Sequence, residues 1–244
     1  MNLSKQWMLI GGLLLAAGAA LAADPSLTPY TAVYTVEYKG KELGTSEFKL
    51  SYDAAKDVYE FSSKTQAKGF IKLARPNPVL ERSHFRVAGN RLVPIEFWYE
   101  DGSRKGDDNL HIEFDWDRRV ATVTGDGGRR EVTLEDGALD RGTMQVALMR
   151  DLVSTGKPSH YLLADEDSVK PYDYVDNGDA TTATGMGQIA TRAFVQHREG
   201  SSRATTIWAA PKLHYLPVRI EQRKDGEVQS AFILRSVTGI TPSQ

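Results

Sequence analysis

The fold is decided by residues 110–134, which read LHIEFDWDRRVATVTGDGGRREVTL. The first part of this stretch has a large apolar side chain at every second position, which is the period of a strand with one buried face: Leu110, Ile112, Phe114 and Trp116. Asp117-Arg118-Arg119 turns the chain into residues 120–124, a run rich in β-branched residues. Gly125-Asp-Gly-Gly128 is a strong hairpin signal, so residues 129–134 are expected to pair back. The stretch therefore predicts consecutive antiparallel strands joined by short turns.

Similar strand signals, separated by turn signals, continue on both sides of this stretch. Toward the N-terminus they predict strands over residues 30–38, 43–52, 58–65, 79–87 and 92–99. Toward the C-terminus they predict strands over residues 160–163, 169–175, 188–196, 205–209, 216–222 and 228–236. Residues 68–75 fit either a helical turn or a strand end, and Pro171 limits the strand 169–175 to an edge of the sheet.

One segment, Asp140 to Thr155, has helical spacing. Met144, Leu148 and Leu152 are four residues apart and form a wide apolar stripe with their neighbours. Asp140 can cap the start of the helix, and Gly156 follows its end. The sequence thus predicts a mainly β fold, a strongly curved antiparallel sheet or incomplete barrel, with one main helix packed on the concave face or across the mouth.

The first 23 residues, MNLSKQWMLIGGLLLAAGAALAA, have the three parts of a secretory signal peptide. Lys5 gives a positive start, an apolar run follows, and Ala20-Leu21-Ala22 is a small-x-small cleavage site. A retained anchor is the alternative, but the apolar run is shorter than the roughly 20 residues of a spanning helix. We therefore expect a signal peptide over residues 1–22 and a single β-rich periplasmic domain over residues 23–244, with no Cys for lipid attachment.

Composition excludes several classes of function. The chain has 30 Lys and Arg against 32 Asp and Glu, and this mild balance argues against nucleic acid as a partner. With no cysteine, the chain has no disulfide, no thiolate chemistry and no Cys-ligated metal. Two basic pairs, Arg118-Arg119 and Arg129-Arg130, could bring the protein to anionic headgroups of a membrane, but the aspartates among them favour a balanced charged surface.

No catalytic or metal-binding motif stands out. There is no G-x-S-x-G elbow and no H-E-x-x-H motif, and the histidines have no recognisable partner spacing: His84, His111, His160, His197 and His214. Acidic residues between Asp165 and Asp179 could gather oxygens around Ca²⁺, but a solvated acidic loop is the favoured interpretation. We expect no catalytic residue, no metal site and no cofactor.

The aromatic and methionine side chains either fill the core or line a binding groove, because ligand pockets are mostly apolar. In the run Phe97-Trp98-Tyr99, strand geometry points Trp98 away from its two neighbours. The candidate ligand-lining residues are Phe97, Trp98, Tyr99, Trp116, Met144, Leu148, Leu152 and Trp208.

The most distinctive segment runs from Trp208 to Ile220, WAAPKLHYLPVRI. This W-x-x-P-x-x-x-x-L-P-V-R-I pattern, together with the central helix, resembles the DUF3108 family of bacterial envelope proteins over roughly residues 28–240. The resemblance implies an architecture similar to that of periplasmic lipoprotein carriers and outer-membrane lipoprotein receptors, in which a curved sheet holds acyl chains. This chain has one clear helix where the carriers have several.

Three functions are compatible with these features. The leading hypothesis is a soluble periplasmic protein that binds an apolar or amphipathic ligand, a lipid or an acylated protein, on the concave face of the sheet. The alternative is a protein-binding scaffold in envelope assembly, which would use a sheet edge or an exposed patch. The third is an enzyme such as a hydrolase, for which the sequence assigns no acid, base or nucleophile.

Overall fold

The computed structural model describes residue 24 and residues 27–69, 71–197 and 202–242, with the side chains of Ala74 and His197 left out. The predicted signal peptide lies outside the described residues. Within these ranges, no helix has both the length and the apolar character needed to cross a membrane.

The described chain forms strands, two α-helices and a 3-10 turn. The strands are β1 Tyr30–Tyr38, β2 Lys41–Asp53, β3 Val58–Ala67, β4 Val79–Ala88, β5 Arg91–Glu100, β6 Leu110–Asp115, β7 Val120–Gly125, β8 Gly128–Thr133, β9 Ala138–Leu139, β10 Tyr161–Ala164, β11 Val169–Thr184, β12 Gly187–His197, β13 Arg203–Ala210, β14 Leu216–Lys224 and β15 Glu227–Thr238. The helices are α1 Ile71–Ala74 and α2 Arg141–Thr155, and the 3-10 turn is Pro211–Leu213.

All strands belong to one 15-stranded sheet that does not close. Its order is β8-β7-β6-β5-β4-β3-β2-β1-β15-β14-β13-β12-β11-β10-β9, so β8 and β9 are its edges. Neighbouring strands are antiparallel except β9 and β10, which run parallel. The predicted fold class is confirmed, and residues 110–133 form the expected meander of β6, β7 and β8.

Three details differ from the sequence prediction, and one alternative that it left open is decided. Strand β11 extends to Thr184 and lies inside the sheet, between β10 and β12, so the edge position predicted from Pro171 is wrong. The proline is tolerated because it pairs only with Leu162 of β10, and the pairing with β12 begins at Asp173. The two-residue strand β9 was not predicted. Residues 71–74 form the helical alternative, α1.

Helix α2 packs on the concave face of the sheet. Its apolar stripe, including Met144, Leu148 and Leu152, is buried in the main hydrophobic cluster with residues of β1 to β4 and β11 to β15. The helix starts close to β3 and β4. A Cβ at Gly142 would come within 2.8 Å of the Phe61 ring, so only glycine fits there without a shift of its neighbours. Asp140 caps its start and Gly156, in the left-handed conformation, ends it, as predicted.

The curvature brings the two ends of the sheet together. A second hydrophobic cluster contains inward residues of β5 to β8, such as Phe97 and Ile112, together with Ala138 of β9 and Ala164 of β10. The opposite faces of the same two strands belong to the main cluster, through Leu139 and Leu163. Strands β9 and β10 are therefore enclosed between the two clusters, and the sheet overlaps itself instead of closing.

Candidate functional site

A row of hydrogen-bonding side chains crosses the concave face near the ends of six neighbouring strands. Strand register places its members directly opposite one another on β1, β15, β14, β13, β12 and β11: Tyr38, Ser230, Gln222, Thr205, Gln196 and Tyr174. We call this set the polar row. Because residues two apart on a strand share a face, all of these side chains point to the same side as the main cluster.

An apolar row lies two residues away from the polar row on five of these strands. Its members are Val36, Phe232, Ile220, Ile207 and Phe194, again directly opposite one another. Phe194, Ile207 and Ile220 are buried in the main cluster, and Phe232 packs against it half-buried. The concave face therefore changes from apolar to polar within two residues along each of these strands.

A cleft of about 700 Å³ opens over the polar row. Tyr38, Gln196, Thr205, Gln222 and Ser230 line it, together with residues of the surrounding turns. Its charged lining residues are three basic and one acidic: Arg203, Arg223, Lys224 and Asp165. We call this space the end cleft.

Hydrogen bonds hold part of the polar row in place. Ser230 Oγ donates to Gln222 Oε1 over 3.1 Å, and Gln196 Nε2 donates to the Tyr174 hydroxyl over 3.2 Å. A tyrosine hydroxyl is protonated at neutral pH, and burial raises the pKa of Tyr174 further. The row thus presents neutral donors and acceptors to the end cleft, while the charges lie around it.

Two charged residues of the end cleft are tied to neighbours. Arg223 donates to Glu221 Oε2 over 2.8 Å and to the Gly226 carbonyl over 3.1 Å. Asp165 lies 3.6 Å from Lys170 Nζ and 3.8 Å from Arg141. These contacts fix the charges in position beside the polar row.

Comparison with known proteins gives a family. The sequence profile described as "Protein of unknown function (DUF3108)" matches residues 33–231 of the 244-residue chain. The chain belongs to the DUF3108 family. The matched range contains α2 and all six residues of the polar row, so the end cleft lies within the family domain. No match to this DUF3108 chain was found among curated protein sequences.

Several solved structures resemble the DUF3108 chain at low identity. A β-barrel-like DUF1849 protein from Brucella abortus has a TM-score of 0.47 and 11% identity, over 88% of this chain and 98% of that one. An exported-type protein with a YmcC-like fold from Bacteroides fragilis has a TM-score of 0.36 and 10% identity, over 88% and 97%. The Pseudomonas aeruginosa MucA/MucB complex gives a TM-score of 0.36 and 9% identity over 89% of this chain. The matched region is 54% of that chain, so the DUF3108 chain spans about half of its length. Similarities at this level carry no argument about function.

The candidate ligand-lining residues of the DUF3108 chain are not brought together in one place. Phe97 is fully buried in the second cluster, where Tyr99 and Trp116 pack against it half-buried. The Trp116 indole donates to the Pro94 carbonyl over 2.7 Å. The guanidinium of Arg141 lies 5.5 Å from the Phe97 ring centre and 5.3 Å from that of Tyr99.

The remaining candidates occupy three other settings. Met144, Leu148 and Leu152 lie in the main cluster with at most 6% of their surface exposed. Trp208 is half-buried against that cluster, with the Arg219 guanidinium 6.0 Å from its ring centre. Trp98 lies on the outer face of β5, stacked on His111 at 5.1 Å.

Sequence reasoning missed the polar row of this DUF3108 protein. Each member on β1 and β12 to β15 is two positions from an inward apolar residue, as in the pairs Val36 and Tyr38 or Ile220 and Gln222. In a single strand this pattern indicates only the frayed end of a buried face. It becomes a site once the strand order aligns the pairs in register.

Proposed function

We propose that this DUF3108 protein is a binding protein of the bacterial cell envelope that holds an amphipathic ligand, a lipid or an acylated protein, in the end cleft. The observation that carries the proposal is the polar row lying directly beside the apolar row, under a cleft of about 700 Å³. Pockets that hold small ligands have volumes of roughly 300–1,000 Å³.

The chemistry of the end cleft suits a ligand with two unlike parts. A polar head would exchange hydrogen bonds with the amides of Gln196 and Gln222 and the hydroxyls of Thr205 and Ser230. Basic side chains outnumber acidic ones around it, which favours an anionic head. The rings of Tyr38 and Tyr172 line the cleft, and the half-buried ring of Phe232 lies two residues from Ser230, so these rings offer apolar contact for the other part.

The proposed place of action follows from the N-terminal sequence. Residues 1–22 have the charge, apolar run and small-x-small site of a signal peptide, which directs a protein to the periplasm. Lipids and acylated proteins are present in that compartment as surfaces and as cargo, so a ligand of this class is available there.

The test is native mass spectrometry of the protein purified gently from a periplasmic fraction, followed by solvent extraction. We expect a near-stoichiometric lipid or acyl-bearing adduct, which the extraction then identifies. Recovery of the protein without an adduct, together with no uptake from short-chain phosphatidylglycerol added at high concentration, would overturn the proposal.

A double variant and a control variant on the same strand test whether the ligand binds in the end cleft. The double variant Gln222→Ala, Ser230→Ala removes two hydrogen-bonding groups, each worth about 1 kcal/mol, so its affinity should fall about tenfold or more. Ser236→Ala removes a hydroxyl from the exposed far part of the same strand and should bind like the wild type. An equal affinity in all three proteins would mean that the ligand binds elsewhere.

A further inference from the structure

Three metal-ligating side chains meet on the outer face of the sheet, away from the end cleft. Glu96 of β5 lies directly opposite Glu113 of β6, and His111 is two positions before Glu113 on the same face. One ligand atom from each of these residues lies within 4.8 Å of the other two. The His111 Nε2 and Glu96 Oε1 atoms are 2.7 Å apart.

The two carboxylates of this group face each other across neighbouring strands. Like charges directly opposite one another in a sheet are destabilising, and Glu96 and Glu113 are such a pair. Glu113 makes no ion pair with any residue in the described part of the chain. Arg118, which follows β6, pairs with Glu131 at 3.0 Å, and Arg82 of β4 lies 3.9 Å from Glu60. A bound cation would relieve the repulsion between the two carboxylates.

The imidazole is held in a fixed orientation. The Trp98 ring stacks on the His111 ring at 5.1 Å with an angle of 8° between the planes. All three side chains come from paired strands, so their backbone positions are rigid. An oriented histidine between carboxylates on a rigid support is the arrangement that lowers the cost of assembling a metal site.

We propose that Glu96, His111 and Glu113 form a binding site for a divalent transition-metal ion, with Zn²⁺ as the reference ion. One imidazole nitrogen and two carboxylate oxygens suit Zn²⁺, which binds such atoms at about 2.0–2.2 Å and completes a tetrahedron with water. Small side-chain rotations bring the three atoms onto one ion. The hydrogen bond between His111 and Glu96 is then replaced by two coordinate bonds.

The proposal is independent of the proposed function, because the two sites lie on opposite faces of the sheet. A hollow of about 400 Å³, lined in part by Trp98, His111 and Thr124, adjoins the His111 side chain on this outer face.

The test is isothermal titration calorimetry of chelator-treated protein with ZnCl₂ alone. We expect saturable binding of one ion per chain. Each of the variants Glu113→Gln and His111→Gln should weaken binding about tenfold or more, since it removes a ligand. Glu113 is exposed, so its variant should keep the wild-type circular dichroism spectrum and unfolding temperature.

His160→Gln is the matched control. His160 is exposed and pairs with one carboxylate, Asp173, at 2.7 Å, away from the three proposed ligands. This variant should bind Zn²⁺ like the wild type. Absence of saturable binding, or a loss with His160→Gln as large as with His111→Gln, would overturn the assignment to these three residues.

Discussion

Asp140 connects the start of α2 to the sheet. Its buried carboxylate accepts hydrogen bonds from the Thr143 amide over 2.9 Å, the Thr143 hydroxyl over 2.7 Å and the Ser83 hydroxyl over 2.5 Å. A cap of this kind stabilises a helix by about 1 kcal/mol. Because one of the donors belongs to β4, the same carboxylate also sets the position of the helix on the concave face.

The buried carboxylate of Asp140 leads to a pH-dependent stability. Burial raises its pKa, and the hydrogen bonds from Ser83 and Thr143 oppose the rise without cancelling it. The folded protein therefore binds this proton more tightly than the unfolded chain, whose aspartates titrate near pH 3.9. It follows that the contribution of Asp140 to stability falls as the pH rises from about 3.9 to the raised folded pKa.

Asp140→Asn isolates this contribution, because asparagine keeps an acceptor but does not ionise. We expect the unfolding free energy of the variant, relative to the wild type, to increase with pH across that window and then to level off. Urea unfolding at a series of pH values measures the difference, and titrations shared by the two proteins largely cancel in it. A difference that stays flat or decreases with pH would contradict the assigned direction.

The spacing of apolar residues in α2 predicts a helix, but it does not predict whether the apolar stripe is packed core or lines a groove. The four-residue spacing of Met144, Leu148 and Leu152 correctly predicted a helix with one buried stripe, and the caps at Asp140 and Gly156 set its ends. The same spacing serves a core helix and a groove-lining helix equally well. The choice depends on which strands cover the stripe, and that is a property of the sheet order.

Leu152→Ala tests whether this stripe is packed core. Leu152 is 1% exposed in the main cluster, and removing a buried leucine side chain costs about 2–5 kcal/mol. We expect a loss of that size in the free energy of urea unfolding. Val153→Ala, on the 41% exposed neighbour, should change it by less than about 0.5 kcal/mol. Unchanged stability of Leu152→Ala with weakened ligand binding would instead make Leu152 a ligand contact.

Most strands and the main helix could be predicted from the sequence, but the polar row and the proposed metal site could not. Alternation within one strand depends on local burial, so it predicted β1 to β8 closely. Residues 176–184 of β11 are mostly small and polar, so their strand signal is weak. The polar row and the group Glu96, His111 and Glu113 depend on register between strands, which no single strand encodes.

For the whole molecule, the enclosed pair β9 and β10 couples the two halves of the sheet. Each strand has one face in the main cluster and the other in the second cluster. Neither cluster can therefore open without exposing apolar surface of the other. We expect the described domain to unfold in a single cooperative transition for this reason.

Ala164→Leu tests this coupling. Ala164 is 2% exposed in the second cluster, and added volume in a packed site costs about 1–3 kcal/mol. The variant should unfold at lower urea concentration, still in one transition by tryptophan fluorescence and circular dichroism. Ala54→Leu, in the exposed turn between β2 and β3, is the control and should match the wild type. Two separated transitions in Ala164→Leu would show that the clusters are energetically independent.

An unclosed sheet keeps two edges, and here both are poor templates for growth. Edge strand β8 presents Arg129, Arg130 and Glu131 to solvent, and charged side chains discourage another strand from pairing. The other edge, β9, is two residues long and enclosed. Incomplete closure therefore does not make the protein prone to polymerise through its strands into fibres. The molecule should stay dispersed at concentrations where a flat, apolar sheet edge would seed aggregation.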